Sequence, residues 1–178
     1  SGEALSIAMK HGVELSNLEY IQIHPTVLYD EAMGRHSLIT EALRGEGGIL
    51  LDVNGNRFID ELLPRDVVSK AISKKMEEYH SDFVYLSLEN IKNRDKVDQT
   101  FPTVFQACMD KGIDIRHDMI PICPGQHYHM GGIKAKIDGR TSMAGLYAVG
   151  ETSCTGLHGK NRLASNSLLE ACFCGMRC

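Results

Sequence analysis

The feature that most constrains this chain is a glycine-rich loop that runs directly into an amphipathic helix, over residues 150–170 (GETSCTGLHGKNRLASNSLLE). Arg162 lies just before the helix, and Ser165, Asn166 and Ser167 all favour an N-cap position. A helix N-terminus presents backbone N–H groups and a partial positive charge. This stretch therefore predicts a site for an anionic or electron-rich ligand.

Composition sets the broad class. Of the 178 residues, 43% are hydrophobic, and the formal net charge of -4 gives no reason to expect nucleic acid or an anionic membrane as a partner. No apolar run approaches the roughly 20 residues that span a bilayer. The spacing of Cys172, Cys174 and Cys178 could suggest a metal cluster, but the first two fall inside a helical pattern. We therefore expect free thiols and a reducing cytoplasm.

Both ends of the sequence resemble the interior of a longer enzyme. Residues 1–12 have the pattern of a helix with a glycine stop, and the last residues fall inside or just after another helix. We expect an internal segment whose flanks expose apolar faces, so that the isolated segment self-associates or is disordered there.

Short strands and helices alternate in between, which predicts an α+β fold with a compact middle portion flanked by parts of a different domain. The Asn54-Gly55 pair predicts a hairpin turn. Val67, Val68, Ala71, Ile72 and Met76 predict the apolar face of one helix. Strands are predicted at residues 20–23, 48–53, 83–88, 120–123, 133–137 and 145–149, and helices at 37–43, 66–79 and 101–111.

Two polar clusters lie in the first third of the chain. In residues 22–26 (QIHPT), His24 follows the predicted end of a strand, a position at which histidine is more often structural than functional. In residues 40–48 (TEALRGEGG), a helix end explains Arg44 and Gly45. It does not explain Thr40 and Glu41, which remain candidates for a functional role.

Two further clusters follow. Pro64 and Asp66 fit a helix start, but Arg65 between them does not, because a cation at a helix N-terminus is electrostatically unfavourable. This misfit indicates another task for Arg65. In residues 127–132 (HYHMGG), His127 and His129 share one face of an extended chain, but no acidic or cysteine partner lies at metal-ligand spacing.

The polar clusters together supply His24, Thr40, Arg65, His127 and Arg162. Arginine can bind a carboxylate through two hydrogen bonds, and histidine and threonine can complete the set. From the residues alone, the sequence predicts a candidate site for a small dicarboxylate and no metal.

The order of these motifs, followed by Gly150-Glu151 and residues 165–170 (SNSLLE), resembles the succinate dehydrogenase and fumarate reductase flavoprotein family, which includes the L-aspartate oxidases. The resemblance implies a capping domain inserted into a Rossmann-like FAD-binding domain, with the dicarboxylate held between them. Residues 18–128 would form the capping domain, and residues 1–17 and 129–178 would belong to the FAD-binding domain. The Rossmann G-x-G-x-x-G fingerprint does not occur in this sequence, so we expect the chain alone to bind FAD weakly or not at all.

Within the family the chain is most similar to the L-aspartate oxidase branch. Val27 stands where the dehydrogenase type usually has glycine, Ser165 stands where it usually has alanine, and the segment before Arg65 is shorter. One departure from the family pattern is Lys160, where alanine is common.

The resemblance also implies roles for single residues. His24 and Thr40 would bind the side-chain carboxylate of the substrate, with Gln22 nearby, whereas His127 and Arg162 would bind the α-carboxylate.

Arg65 would donate a proton to carbon when fumarate is reduced, and Glu41 would return that proton. The positions that match flavin-contacting residues of the family are Glu151, Asn166, Ser167 and Leu168.

The implied reaction is the FAD-dependent oxidation of L-aspartate to iminoaspartate, with oxygen or fumarate as acceptor. This is the first step of NAD biosynthesis through quinolinate and makes quinolinate synthase a candidate partner. The alternatives are a succinate dehydrogenase or fumarate reductase flavoprotein subunit with an iron–sulfur partner, and a non-catalytic interaction domain.

Overall fold

The chain folds into two compact units. The computed structural model describes residues 2–31 and 36–178. The flanking unit comprises Ser1–Gln22 and Gln126–Cys178, and the middle unit comprises Ile23–Gly125. Ser1, at which the first predicted helix begins, lies outside the described residues.

Helices and strands alternate along the chain, as the α+β prediction requires, and the mixed α and β content is confirmed. The helices are α1 Glu3–Lys10, α2 Ala42–Gly45, α3 Arg65–Tyr79, α4 Val97–Thr100, α5 Pro102–Met109 and α6 Asn166–Gly175. The strands are β1 Leu15–Ser16, β2 Ile21–Leu28, β3 Ile49–Leu51, β4 Val84–Ser87, β5 Ile120–His129, β6 Gly132–Lys134 and β7 Ser153–Cys154. Within residues 2–31 and 36–178, none of the helices is long and apolar enough to cross a membrane.

The middle unit is built on a four-stranded sheet with the order β2-β5-β4-β3. Strand β4 is antiparallel to both of its neighbours, with Leu86 opposite Leu50 of β3 and Ile120 of β5. Val68 and Ile72 of α3 belong to the same fully buried apolar cluster. Burial of these side chains stabilises the unit, because each large aliphatic side chain removed from water contributes about 1.5–3 kcal/mol.

The flanking unit has a smaller core. Its sheet has the order β1-β6-β7, antiparallel between β1 and β6 and parallel between β6 and β7. The buried apolar cluster consists of Ala8, Val13, Ile133 and Ala148. An apolar cavity of about 470 Å³ lies between α1 and the segment that contains Leu146.

Several predicted elements are confirmed. The helix predicted at residues 66–79 is α3, which begins one residue earlier. At the predicted Asn54-Gly55 turn, the N–H of Asp52 donates to the carbonyl of Asn56 at 2.9 Å and closes a hairpin. Inclusion of Val67 in the apolar face of α3 was wrong, because its side chain is 41% exposed.

The helix predicted at residues 37–43 is wrong in its first half. Residues 37–39 pair with β2: the N–H of Leu28 donates to the carbonyl of Ser37 at 2.8 Å, and the N–H of Ile39 donates to the carbonyl of Thr26 at 3.0 Å. Leu38 is exposed and Ile39 is fully buried, as expected for neighbours in an extended chain. Backbone pairing with β2 therefore outweighs the local helical spacing, and the helix is restricted to α2.

The strand predicted at residues 145–149 is also wrong. This segment forms an isolated antiparallel bridge between Tyr147 and Arg140. Gly145 has φ +80°, which interrupts an extended conformation at the start of the predicted strand. The apolar residues that suggested a strand serve instead to pack Ala148 into the flanking core.

Candidate active site

Arg65 is held by the carboxylate of Glu41 in the middle unit. Arg65 is the first residue of α3, and its Nε and Nη2 donate to Oε2 of Glu41 at 3.0 and 2.7 Å. The other oxygen of this carboxylate, Oε1, lies 3.1 Å from Nη2 of Arg44. The side chains of Arg44 and Arg65 are 1% and 10% exposed. One carboxylate therefore compensates two largely desolvated cations, and we call these three residues the Arg44–Glu41–Arg65 network.

The two arginines keep Glu41 ionised. Burial by itself would raise the pKa of Glu41, but the hydrogen bonds and positive charges of Arg65 and Arg44 outweigh it and hold this pKa below its usual value. Desolvation lowers the pKa of Arg44, with Glu41 opposing the shift. At neutral pH the network therefore contains an anionic acceptor in direct contact with the guanidinium of Arg65.

A second layer of contacts fixes Arg44. Its Nη1 donates to the carbonyl oxygen of Glu61 at 2.5 Å. The buried carboxylate of Glu61 accepts the N–H of Leu50 at 2.8 Å and pairs with Nη2 of Arg57 at 2.6 Å. The strand β3 and the loop before α3 are thus tied together at the residue that supports Arg44.

His24 lies inside β2, and the prediction that it follows a strand end was wrong. The strand continues through Pro25 to Leu28. Strand β2 stands at one end of the four-stranded order, a position where a proline without an N–H is tolerated. The His24 side chain is buried, and the N–H of Thr26 donates to its Nδ1 at 3.2 Å.

Thr40 is brought near this strand by the chain that precedes it. The hydroxyl of Thr26 donates to the carbonyl of Ile39 at 2.8 Å, which fixes the residue before Thr40 against β2. The hydroxyl oxygen of Thr40 accepts the N–H of Ala42 at 3.4 Å, at the start of α2. Thr40 is therefore placed between the strand that carries His24 and the helix turn that follows Glu41.

Gln22 and Arg162 come together in the flanking unit. Nε2 of Gln22 donates to the carbonyl of Arg162 at 2.6 Å and to Oδ1 of Asn161 at 2.9 Å. Gln22 is 3% exposed and Arg162 is 5% exposed. The amide of Gln22 thus holds the backbone of the loop that presents the arginine.

The guanidinium of Arg162 lies over an aromatic ring. Its central carbon is 4.3 Å from the ring centroid of Tyr128, within the range of a cation–π contact. Nη1 of Arg162 also donates to the hydroxyl of Ser167 at 3.3 Å. Arg162 is therefore in contact with both β5 and the first turn of α6.

His127 and His129 both line one cavity of the flanking unit, together with Tyr128 between them. This cavity, of about 460 Å³, also contains Leu18 and Glu151 among its lining residues. The carboxylate of Glu151 accepts the N–H of His129 at 3.0 Å. In the part of the chain that the structure describes, no group of three or more His, Cys, Asp or Glu side chains is arranged to hold a metal ion.

The N-terminus of α6 carries the remaining candidates. Ser165 is the N-cap residue, with φ +66°, and makes no side-chain cap hydrogen bond. Asn166 and Ser167 are half-buried in the first turn, whereas the side chain of Leu168 is 72% exposed. The helix therefore presents its positive end together with an exposed apolar side chain.

Sequence reasoning missed four residues that the structure adds to these groups: Arg44, Tyr128, His158 and Glu170. The i,i+3 spacing of Glu41 and Arg44 is a local signal for the first. The contact between His158 and Glu170 crosses twelve positions and has no local signal, because it depends on how the loop folds back onto α6.

Comparison with known proteins identifies the family. Residues 1–168 match the model of a family described as an FAD-binding domain. The chain belongs to this FAD-binding domain family. The match confirms FAD as the expected cofactor and supports the resemblance to flavoproteins of the succinate dehydrogenase and fumarate reductase type.

Curated relatives of the chain include L-aspartate oxidases. That of Clostridium perfringens is 49% identical over 172 residues, which cover 96% of this chain and 39% of the relative. That of Clostridium acetobutylicum is 48% identical over 171 residues, with the same two coverages. The chain thus spans 39% of the length of these relatives.

The solved structures that match include fumarate reductases. A quinol-fumarate reductase determined with menaquinol molecules is 37% identical, with a TM-score of 0.87 over 98% of this chain and 34% of that one. A variant of the FrdA subunit of E. coli quinol fumarate reductase is 36% identical, with a TM-score of 0.85 over 98% of this chain and 33% of that one.

Proposed function

We propose that this chain is part of a flavin-dependent oxidoreductase that oxidises L-aspartate to iminoaspartate, with oxygen or fumarate as electron acceptor. The identity to L-aspartate oxidases supports the choice of substrate. The Arg44–Glu41–Arg65 network is the observation that carries the chemistry, because it holds a buried cation against an ionised acceptor. The product would feed quinolinate and NAD synthesis, with quinolinate synthase as the partner that uses it.

The first turn of α6 fits the flavin of FAD. Its N-cap residue Ser165 makes no side-chain cap hydrogen bond, and the side chains of Leu163 and Leu168 are 73% and 72% exposed. An apolar surface next to a positive helix end suits a flat ring that gains negative charge when it is reduced. When bound, FAD supplies the acceptor for the hydride that leaves the Cα of aspartate.

Four residues of the flanking unit would hold the flavin: Glu151, Asn166, Ser167 and Leu168. The partial charge at the start of α6 would stabilise negative charge on the reduced ring. Ser167 would also couple the flavin to the substrate, because its hydroxyl accepts a hydrogen bond from Arg162.

The flanking unit would bind the α-carboxylate through Arg162 and His127. A guanidinium can bind a carboxylate through two parallel hydrogen bonds. Gln22 would act by fixing the backbone of Arg162, since its amide donates to that carbonyl. Placement of the carboxylate orients the Cα–H, which is the main contribution that a protein makes to hydride transfer.

The middle unit would bind the side-chain carboxylate through His24 and Thr40 and move protons through Arg65. A free guanidinium is a poor acid, so a proton can leave Arg65 only if a neighbour returns it. Glu41 suits this task, because it touches Arg65 and is 38% exposed, so that it can exchange protons with solvent. In the fumarate-reducing direction, Arg65 would deliver the proton to carbon.

The domain assignment is part of the same proposal. We assign residues 18–128 to a substrate-capping domain and residues 1–17 and 129–178 to the FAD-binding domain. The separate apolar cores of the middle and flanking units support a division into two domains, although the middle unit, Ile23–Gly125, is shorter than the assigned capping domain at both ends. We place the protein in the cytoplasm, which agrees with the six free cysteines, all of them in described residues.

Anaerobic flavin reduction tests the proposed substrate. L-aspartate added to the full-length protein with bound FAD should bleach the flavin absorbance, and succinate added to a second sample should not. Reduction by succinate alone would exclude the L-aspartate reaction and favour the second candidate below. Reduction by neither compound would favour a non-catalytic role.

A succinate dehydrogenase or fumarate reductase flavoprotein subunit is the second candidate. The structural similarity to two quinol fumarate reductases favours it. Such a subunit would pass electrons to an iron–sulfur partner, so the same bleaching experiment separates it from the first candidate.

A further inference from the structure

A buried histidine–carboxylate contact joins the glycine-rich loop to α6 in the flanking unit. Nε2 of His158 lies 2.7 Å from Oε2 of Glu170, and the two side chains are 7% and 2% exposed. The other carboxylate oxygen of Glu170 accepts the hydroxyl of Thr155 in a short hydrogen bond. Each oxygen of the Glu170 carboxylate is therefore in contact with a polar group, as a buried polar side chain requires. We call these two residues the His158–Glu170 pair.

The imidazole of this pair holds an aromatic ring in turn. The ring of Tyr128 meets that of His158 edge to face, with centroids 5.6 Å apart and an interplanar angle of 88°. Tyr128 is 8% exposed, and burial together with the carboxylates of Glu170 and Glu151 raises its pKa to about 12. The phenol therefore stays neutral, and its ring lies against the imidazole of His158.

The face of the same ring supports Arg162, whose guanidinium carbon lies 4.3 Å from the Tyr128 centroid. An arginine side chain has many rotamers, and it loses this freedom when it binds a carboxylate. A ring that already holds the guanidinium in place reduces that loss, so that the free protein is organised for the anion.

We propose that Tyr128, held by the His158–Glu170 pair, is a positioning residue that fixes the guanidinium of Arg162 for carboxylate binding. This inference rests on the proposed function, because it assigns the ligand of Arg162 to a substrate carboxylate. It adds three residues to the site: Tyr128 acts through Arg162, and His158 and Glu170 act through Tyr128.

Substitution of the ring in the full-length protein with bound FAD tests the inference. The probe is succinate, whose binding is followed by the change in flavin absorbance, and KM and kcat are measured with L-aspartate. Tyr128→Leu should raise the succinate Kd and the aspartate KM about tenfold. This change corresponds to about 1.4 kcal/mol, which lies within the range of cation–π contacts. The kcat should fall much less, because the reacting groups are untouched.

Two variants distinguish positioning from a general loss of structure. Tyr128→Phe keeps the ring and should restore most of the affinity. Tyr147→Leu, at a half-exposed tyrosine of the same unit, should leave the Kd as in the wild type. Equal affinity of Tyr128→Leu and wild type would overturn the inference.

A double variant tests whether the ring acts through the arginine. In an Arg162→Gln background, the tenfold effect of Tyr128→Leu should disappear, because the group that the ring positions is gone. The same tenfold loss in both backgrounds would show that Tyr128 acts elsewhere and would overturn the proposal.

The His158→Gln variant serves if Tyr128→Leu does not fold or does not retain FAD. Glutamine can still donate to Glu170 but removes the ring that meets Tyr128, so the succinate Kd should rise severalfold, and an unchanged Kd would overturn the proposal. Failure of the wild type itself to bind succinate or reduce its flavin with aspartate would overturn the proposed function, and this inference with it.

Discussion

Replacement of Glu41 by glutamine should destabilise the middle unit, by an amount that follows from the burial of its two arginine partners. Removal of one partner of a fully buried ion pair costs about 3–5 kcal/mol, whereas an exposed pair contributes about 0.2–1 kcal/mol. Glu41 is 38% exposed, but the side chains of Arg44 and Arg65 that it compensates are 1% and 10% exposed. We therefore expect the free energy of unfolding to fall by about 1.5–3 kcal/mol near neutral pH, between these two limits.

The pH dependence of this loss follows from the direction of the pKa shift. The pKa of Glu41 in the folded chain lies below its ordinary value of 4.5, which applies to the unfolded chain. Its stabilising contribution is therefore fully present above pH 4.5 and is lost as the pH falls through the lower folded pKa. The difference between the wild type and Glu41→Gln should stay constant at higher pH and shrink in acid.

Hydrogen exchange of the amides in β3 and β4 measures this stability in the middle unit itself. The matched control is Glu78→Gln, because Glu78 pairs with Lys75 at 3.0 Å on the surface of α3, and its loss should cost less than about 0.5 kcal/mol. A loss for Glu41→Gln no larger than that of the control, or one that grows in acid, would refute the reasoning.

In the full-length protein, Arg65→Lys should lower the kcat of the proposed reaction with little change in KM, because lysine keeps the charge but loses the planar fork. Steady-state kinetics with L-aspartate measure this, and an unchanged kcat would leave Arg65 a structural role only. Leu86→Ala removes a fully buried side chain of β4 and should lower the free energy of unfolding of the middle unit in urea by about 2–5 kcal/mol. A decrease of less than about 1 kcal/mol would mean that the surrounding side chains repack. Alkylation of the folded chain should label the exposed Cys172 and Cys178 but not the buried Cys108, because burial raises the pKa of Cys108 to about 12. Detection of labelled Cys108 by mass spectrometry would contradict this. Purified with added FAD, the 178-residue chain should stay colourless, since the pyrophosphate-binding fingerprint does not occur in it; a stoichiometric yellow complex would show that the fingerprint is not needed.

Local sequence signals were sufficient wherever a segment depends mainly on its own residues. Pro64 and the apolar spacing that follows predict α3, and the Asn54-Gly55 pair predicts its hairpin, because both depend on backbone preferences within a few residues. The misfit of Arg65 at a helix start could also be recognised from the sequence. A cation there is unfavourable unless something compensates it, and Glu41 does so.

The tertiary structure decided the features that depend on contacts distant in sequence. Residues 37–39 have helical spacing but become extended, because β2 offers backbone partners that the sequence does not reveal. For the same reason, His24 lies within a strand and not after it.

The surroundings of the candidate residues were likewise decided by the fold. The sequence singled out Arg162 by its place before a helix, but not the ring of Tyr128 beneath it or the His158–Glu170 pair beyond. It also left Arg44 as a helix end, although burial makes Arg44 the second cation on Glu41. Sequence by itself thus determined which charged and polar groups are available. Only the tertiary structure decided which of them share a desolvated environment, because burial and charge compensation arise when segments far apart in sequence pack together.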